Sequence, residues 1–201
     1  AIDRIEVLRD GASAQYGSDA IAGVINIVLK KQTKETQLFF EAGQTREGDG
    51  TVLHGGLNHG FALGDDGFLN VSVESRDREE TNRAGPDTLR VDPPRVTQRI
   101  GDADAKDAYL WLNGGIELGG GELYWFGGLS QRKGDSSGFY RSAGDGRTVP
   151  DLYPNGFLPN IITTVEAGSL AVGYRSQIGD TWDWDVSVNH GRSKFGFFER
   201  N

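Results

Sequence analysis

Cysteine and methionine are both absent from the 201 residues. Without cysteine the chain has no zinc ribbon, no disulfide framework and no thiol nucleophile, and it is compatible with an oxidising compartment. Long apolar runs are missing too. The longest, Ala20 to Leu29, is interrupted by Asn26, whereas a membrane-spanning helix needs about twenty apolar residues. Helical membrane proteins are thereby excluded. Transmembrane β-barrels are not, because a barrel strand shows its apolar face only in every second residue. Positive charge is in deficit: 21 Lys and Arg against 29 Asp and Glu leave a net charge of -8. Such a chain repels phosphate backbones, so nucleic acid is not expected as a partner. Glycine, at 30 residues, has about twice its usual share. With 4 Trp, 6 Tyr and 10 Phe, the chain is too aromatic for a disordered one. It opens at Ala1 inside a charged, strand-like stretch, which predicts a segment of a longer protein.

Residues 1 to 31 differ from the rest. A short strand pattern, Ile2 to Arg9, leads into the turn signal Asp10-Gly11. The stretch Ala12 to Gly17 is long enough for about one helical turn closed by glycine. A second apolar stretch, Ile21 to Leu29, stops at Lys30-Lys31. This predicts a small α/β element. From Thr36 onward the period is two. Leu69, Val71 and Val73 alternate with Asn70, Ser72 and Glu74; Ala108, Leu110, Leu112, Ile116 and Leu118 alternate with Tyr109, Trp111, Asn113 and Glu117; Trp182, Trp184, Val186 and Val188 alternate with Asp183, Asp185, Ser187 and Asn189. Together with less regular stretches at 36–45, 51–63, 122–132 and 165–178, this predicts about seven strands, each with one apolar and one wet face.

The connections alternate as well. Gly64-Asp65-Asp66-Gly67, Gly119-Gly120-Gly121 and Gly179-Asp180-Thr181 are tight hairpin turns. Between them lie a short link near Arg46 to Gly50 and two long ones, 78–107 and 133–163, rich in Arg, Asp, Pro and Gly. In an up-and-down sheet the tight turns fall on one rim and the long loops on the other, the arrangement of an outer-membrane barrel. Trp111, Tyr124, Trp125, Phe126, Tyr174, Trp182 and Trp184 fit either a membrane-interface girdle or the core of a soluble β-sandwich.

Enzyme signatures fail. Ser13 in Gly11-Ala12-Ser13-Ala14-Gln15 lacks the second glycine of a nucleophile elbow. His54, His59 and His190 lack metal-ligand spacing. Asp102, Asp104 and Asp107 lack the glycine and closing Glu of a calcium loop. No catalytic residue, metal site or cofactor is expected.

The run Ala1-Ile2-Asp3-Arg4-Ile5-Glu6-Val7-Leu8-Arg9-Asp10-Gly11-Ala12-Ser13-Ala14-Gln15-Tyr16-Gly17-Ser18-Asp19-Ala20-Ile21-Ala22-Gly23-Val24-Ile25-Asn26-Ile27-Val28-Leu29-Lys30 closely resembles the end of the plug domain of TonB-dependent outer-membrane receptors. Asp10-Gly11-Ala12 stands where the family usually has Gly-Pro-x. The resemblance implies residues 1–31 as the C-terminal α/β end of a plug, and residues 32–201 as the N-terminal strands of an incomplete transmembrane antiparallel barrel of about 22 strands. It implies a transporter in the bacterial outer membrane. Such a protein takes up a scarce extracellular ligand (ferric siderophore, cobalamin, haem, nickel complex or oligosaccharide), with TonB and its inner-membrane energising complex as partners and outer-membrane lipid around it.

On that resemblance Arg4, Glu6 and Arg9 lie on a plug strand facing the lumen wall. There they either pair with wall charges such as Glu74, Glu117 or Asp185, at about 1 kcal/mol a pair, or remain solvated. Gly11, Gly17 and Gly23 supply tight backbone geometry. Tyr16 contacts ligand at the outer vestibule or packs within the plug. The long loops offer Arg76, Arg78, Arg83, Arg90, Arg95 and Arg99, and then Tyr140, Arg141, Tyr153 and Phe157. With Tyr16, Arg141 and Tyr153 are the ligand-contact candidates; the alternative is a solvated, self-neutralising loop. The competing class is a secreted or surface all-β binding module.

Overall fold

The structure is a computed structural model and describes residues 1–9, 16–17 and 22–200. One antiparallel hairpin pairs β1 (Ile2–Leu8) with β2 (Val24–Leu29). The rest is a seven-stranded antiparallel meander in which strands neighbour each other in chain order. Its strands are β3 (Thr36–Gly43), β4 (Val52–Leu63), β5 (Gly67–Arg78), β6 (Asp104–Leu118), β7 (Gly121–Ser137), β8 (Asn160–Ile178) and β9 (Trp182–Arg200). Among the described residues no helix is long and apolar enough to cross a membrane. The helical turn expected over Ala12–Gly17 lies mostly outside the described residues; Gly17 has φ 92°.

Seven strands appear where the period of two predicts them, and the three tight turns close on left-handed glycines: Gly64, Gly119, Gly120 and Gly179. The strands outrun their apolar patterns at the long-loop rim. β6 begins at Asp104, β7 runs to Ser137 and β8 begins at Asn160, so the long loops shrink to 79–103 and 138–159. The added rungs of β6 and β7 are largely polar on both faces, and β8 opens with Ile161 and Ile162 on opposite faces, so the alternation is lost there and cross-strand pairs hold the rungs instead. Lys106 Nζ meets Asp77 at 3.1 Å, and Arg132 Nε donates to Asp107 at 2.5 Å.

Burial is inverted relative to a water-soluble domain. Among the described residues the buried apolar side chains are few, Phe68, Ala105, Ala171 and Pro159, while Asn58, Asn70, Asn113 and Asp107 are among the buried polar ones. Leu38 (79% exposed), Phe40 (74%) and Val188 (73%) stand uncovered on the apolar face. The soluble-sandwich alternative requires these side chains to meet a second apolar layer, and the described chain has none.

Where that face first carries a charge or amide, counted from the short-turn rim, the residues are Asp77, Lys106, Gln131, Glu166 and Arg192 on β5 to β9. Asp77 lies opposite Lys106, Gln131 opposite Ala108, Glu166 opposite Gln131 and Arg192 opposite Gly168. The polar boundary therefore slides four residues across four strand-to-strand steps. The turns slide equally: Gly121 pairs with Ser176, so Ile178, at the next turn two strands on, lies two residues lower. With about 3.3 Å per residue and 4.8 Å between strands, one residue per strand means a tilt of about 35°. From turn to first charge each strand runs ten or twelve residues, or about 30 Å of height at that tilt, which matches the hydrocarbon thickness of a bilayer.

Register also sorts the aromatics. Trp125, Tyr174, Trp182 and Trp184 lie on the apolar face near the short-turn rim. Trp111, Tyr124 and Phe126 occupy the opposite face, so these three do not belong to a girdle as the sequence suggested. Their strand positions have the wrong parity. Several aromatics instead lie over a directly opposed glycine: Trp111 over Gly128, Tyr124 over Gly173, Trp125 over Gly114 and Phe39 over Gly56. A Cβ on Gly128 would come within 2.6 Å of the Trp111 ring. Much of the glycine excess thus makes room for rings flat against the sheet.

Candidate functional site

The wet face of the sheet meets the β1–β2 hairpin through the segment that joins them. Gly60, Asn70 and Asn113 form one rung across β4, β5 and β6, and residues 30–35 run along it. Asn113 Nδ2 donates to the Lys30 carbonyl at 2.7 Å, Asn70 Nδ2 donates to the Gln32 carbonyl at 2.5 Å, and the Gly60 N–H donates to the Glu35 carbonyl at 3.1 Å. Both asparagines are buried, at 7% and 2% exposure. A Cβ at position 60 would overlap the Gln32 carbonyl, so glycine is required there by close approach. Lys31 Nζ sits 5.6 Å from the Phe68 ring centroid, and Lys30 Nζ donates to Gln37. This rung escaped the sequence reading, because its bonds join residues 38 and 83 positions apart.

On the hairpin, Arg4 Nε donates to Glu6 at 2.8 Å and Arg4 Nη1 to Asp3 at 3.0 Å, while Asn26 Nδ2 donates to Glu6 at 2.9 Å. The Asn26 bond first, then Arg4, holds the Glu6 carboxyl below its usual range, and the Glu6 carboxylate raises the Arg4 guanidinium. Arg9 is exposed just past β1. Glu74, Glu117 and Asp185, the wall charges considered as partners, share the wet face. Gly23 has φ 136°, and a Cβ there would overlap the Leu8 carbonyl. Gly11 lies outside the described residues. Tyr16 is 55% exposed.

At the long-loop rim the connections lock onto one another. Asp49 receives Arg83 Nη1 at 2.6 Å and Nη2 at 2.9 Å, Thr45 Oγ1 at 2.6 Å and the Asn82 N–H at 3.1 Å. The Arg83 guanidinium, first among these, holds the Asp49 carboxyl well below the usual carboxylate range. Arg95 Nη2 crosses to the Asn155 carbonyl at 2.5 Å and Tyr140 Oη at 3.1 Å. Arg141 and Tyr153 come together on Phe157: the Arg141 N–H donates to its carbonyl at 2.9 Å, and the Tyr153 ring lies 4.4 Å from its ring. The Arg141 guanidinium is 3.7 Å from Glu199. Among the described residues no cluster of His, Asp and Glu could hold a metal ion.

The segment leaving the β1–β2 hairpin is thus fastened to the wet face of an antiparallel sheet whose other face is apolar and uncovered. Residues 1–24 match the family described as TonB-dependent Receptor Plug Domain. The chain is 61% identical over 36 residues to the probable TonB-dependent siderophore receptor PirA of Acinetobacter baumannii, 18% of this chain and 5% of that protein. It is 35% identical over 72 residues to the vitamin B12 transporter BtuB of Vibrio cholerae, covering 36% and 11%. A third match, the iron-regulated outer membrane virulence protein of Vibrio cholerae, is 57% identical over 35 residues, covering 17% and 5%. No solved structure matches. The chain spans between 5% and 11% of the length of these relatives. The N-terminal part of the chain is thus that of a TonB-dependent receptor, and its location is the bacterial outer membrane.

Proposed function

We propose that this chain belongs to an outer-membrane transporter that takes up a scarce small ligand by active transport coupled to TonB, with residues 1–31 ending its plug and residues 32–201 opening a barrel of about 22 strands. The observation that carries the reading is the Gly60–Asn70–Asn113 rung. It ties the end of a plug-like hairpin to the wet face of a sheet whose other face is apolar over about one bilayer thickness. A transporter needs this division of labour: a wall that stays in the lipid and an insert that stays attached while part of it yields. In this reading Arg4, Glu6 and Arg9 present breakable charge to the lumen, and Gly11, Gly17 and Gly23 shape the plug backbone. Tyr16, Arg141 and Tyr153 are the groups offered to a ligand at the long-loop rim.

The relatives' names specify a siderophore receptor and a vitamin B12 transporter; ferric siderophores, cobalamin and haem are the classes to try first, followed by oligosaccharides. The test is uptake of labelled candidates by the source bacterium, comparing the wild type with strains deleted for this gene or for TonB. Energised uptake of one ligand that both deletions abolish is expected. Uptake of every candidate at the wild-type rate in the gene deletion, with the protein recovered from the medium without detergent, overturns the proposal.

A further inference from the structure

Two arginines of the first long connection, 79–103, reach across to the second. Near the strands Arg99 Nη2 donates to the Asp135 carbonyl at 2.9 Å, at the end of β7, and the same guanidinium meets Glu80. Farther out, Arg95 Nη2 donates to the Asn155 carbonyl at 2.5 Å, and the Tyr140 hydroxyl donates to that carbonyl as well, at 2.6 Å. The carbonyl belongs to the turn Tyr153–Gly156, closed by the Gly156 N–H on the Tyr153 carbonyl at 2.9 Å. Gly156 has φ 70°, and a Cβ there would overlap the Arg141 carbonyl and crowd the Tyr140 hydroxyl. Arg95 therefore ends on the piece of backbone that carries Tyr153 and lies against Arg141.

The arm that reaches across is itself held. The Asp87 N–H donates to the Arg95 carbonyl at 2.8 Å, and the Asp87 carboxylate accepts Thr97 Oγ1 and the N–H groups of Leu89 and Arg90, each at 3.0 Å. Below them the Thr81 N–H donates to the Asp102 carbonyl and the Arg83 N–H to the Ile100 carbonyl, so this connection is a ladder standing on β5 and β6. Connection 138–159 is a second ladder, through the Gly138 N–H on the Pro159 carbonyl and the mutual Arg141–Phe157 pair. Hydrogen bonds along each ladder stiffen it, and Arg99 at the base and Arg95 at the outer end tie one ladder to the other. A guanidinium on a carbonyl is a charge-assisted bond, among the stronger ones available at a wet rim.

We propose that Arg95 is a positioning residue: it makes the two long connections one body and holds Arg141 and Tyr153 in place before a ligand arrives, which spares the ordering cost on binding. The inference deepens the reading of Arg141 and Tyr153 as ligand contacts and rests on it.

The test uses the intact receptor in phospholipid nanodiscs. Hydrogen exchange of a peptide covering Tyr153 to Phe157 is followed by mass spectrometry, and nitroxide labels at the exposed positions Thr88 and Asp151 report the distance between the connections by pulsed electron paramagnetic resonance. Arg95→Met keeps the stem and removes the donors; it is expected to speed exchange of this peptide by roughly tenfold and to broaden the distance distribution. Arg95→Lys, whose ammonium can still donate to the Asn155 carbonyl, is expected to bring both back toward the wild type, whereas a role in packing alone would make the two variants alike. Wild-type exchange and an unbroadened distance in Arg95→Met overturn the proposal. Uptake of labelled ferric siderophores, cobalamin and haem separates the two readings. Wild-type uptake of all of them in both Arg141→Ala and Tyr153→Ala sinks the ligand reading and the inference with it. Uptake lost in those variants but kept in Arg95→Met, at low and high concentration alike, sinks this inference alone.

Discussion

Asn113 donates from its amide to the carbonyl of Lys30, 83 positions earlier in the chain, at 2.7 Å. With Asn70 on Gln32, it fastens the exit of β2 to the third and fourth of the seven sheet strands. Both amides are buried, so removing one leaves an unpaired carbonyl at a cost of about 1–3 kcal/mol. Asn113→Ala and Asn70→Ala are each expected to raise the labelling rate of a cysteine placed at Lys31 by about fivefold or more, since about 1.4 kcal/mol is a factor of ten. Unchanged labelling in both variants would mean that the segment is held by something else.

Gly60 tests the same attachment by crowding rather than deletion. Any side chain there drives its Cβ into the Gln32 carbonyl, and backbone cannot move aside as a flexible side chain can. Gly60→Val is expected to expose the Lys31 position more than either asparagine variant does, while the sheet remains formed. Labelling rates and circular dichroism together check this. A wild-type labelling rate in Gly60→Val would show that the segment does not lie against that rung.

Much of the wall was legible in the sequence because lipid enforces the period of two. Leu110 and Leu112 must face out while Trp111 and Asn113 face in. The strand extensions at Asp104 to Asp107 and Lys133 to Ser137 were not legible, since water on both sides leaves no apolar signal. The Trp111, Tyr124 and Phe126 rings misled because aromatic content carries no parity by itself; only the pairing with Gly128, Gly173 and Ala171 shows which face they take. The Asn70–Asn113 rung depends on a contact across dozens of residues, and no local pattern encodes it. The Arg4–Glu6 pair could be foreseen as charged residues two apart on one strand face, whereas their mutual partnership is a matter of rotamer.

The rim lock at Asp49 carries a pH dependence with a definite sign. Its carboxyl is held below the ordinary value by Arg83, so the folded form binds its proton less readily than the unfolded form does. The lock's contribution is therefore complete above the unfolded value, about pH 4, and is lost as pH falls through the lower folded value. Amide exchange at Gly48 and Gly50 is expected to stay slow, relative to intrinsic rates, from pH 7 down to about pH 4 and to rise in stronger acid. Asp49→Asn is expected to show the open-loop rate at every pH. Loss of protection near pH 6 in the wild type would point to a group other than Asp49.

The orientation of the whole sheet can be tested with two lysines on one strand. Val172 lies on the apolar face of β8, about midway between the turn at Ile178 and the first charge at Glu166. Ser169, three residues away, lies on the wet face among Gly128 and Gly191. If the apolar face meets acyl chains, Val172→Lys places an ammonium near the bilayer midplane and costs about 2–4 kcal/mol. Ser169→Lys places the same charge in a hydrated lumen and costs little. Urea unfolding of the intact receptor in phosphatidylcholine vesicles is expected to separate the two variants by that margin, with Ser169→Lys close to wild type. The reverse order would put the lipid on the other side of the sheet, and the asparagine rung with it, where buried amides and Asp107 could not remain without water.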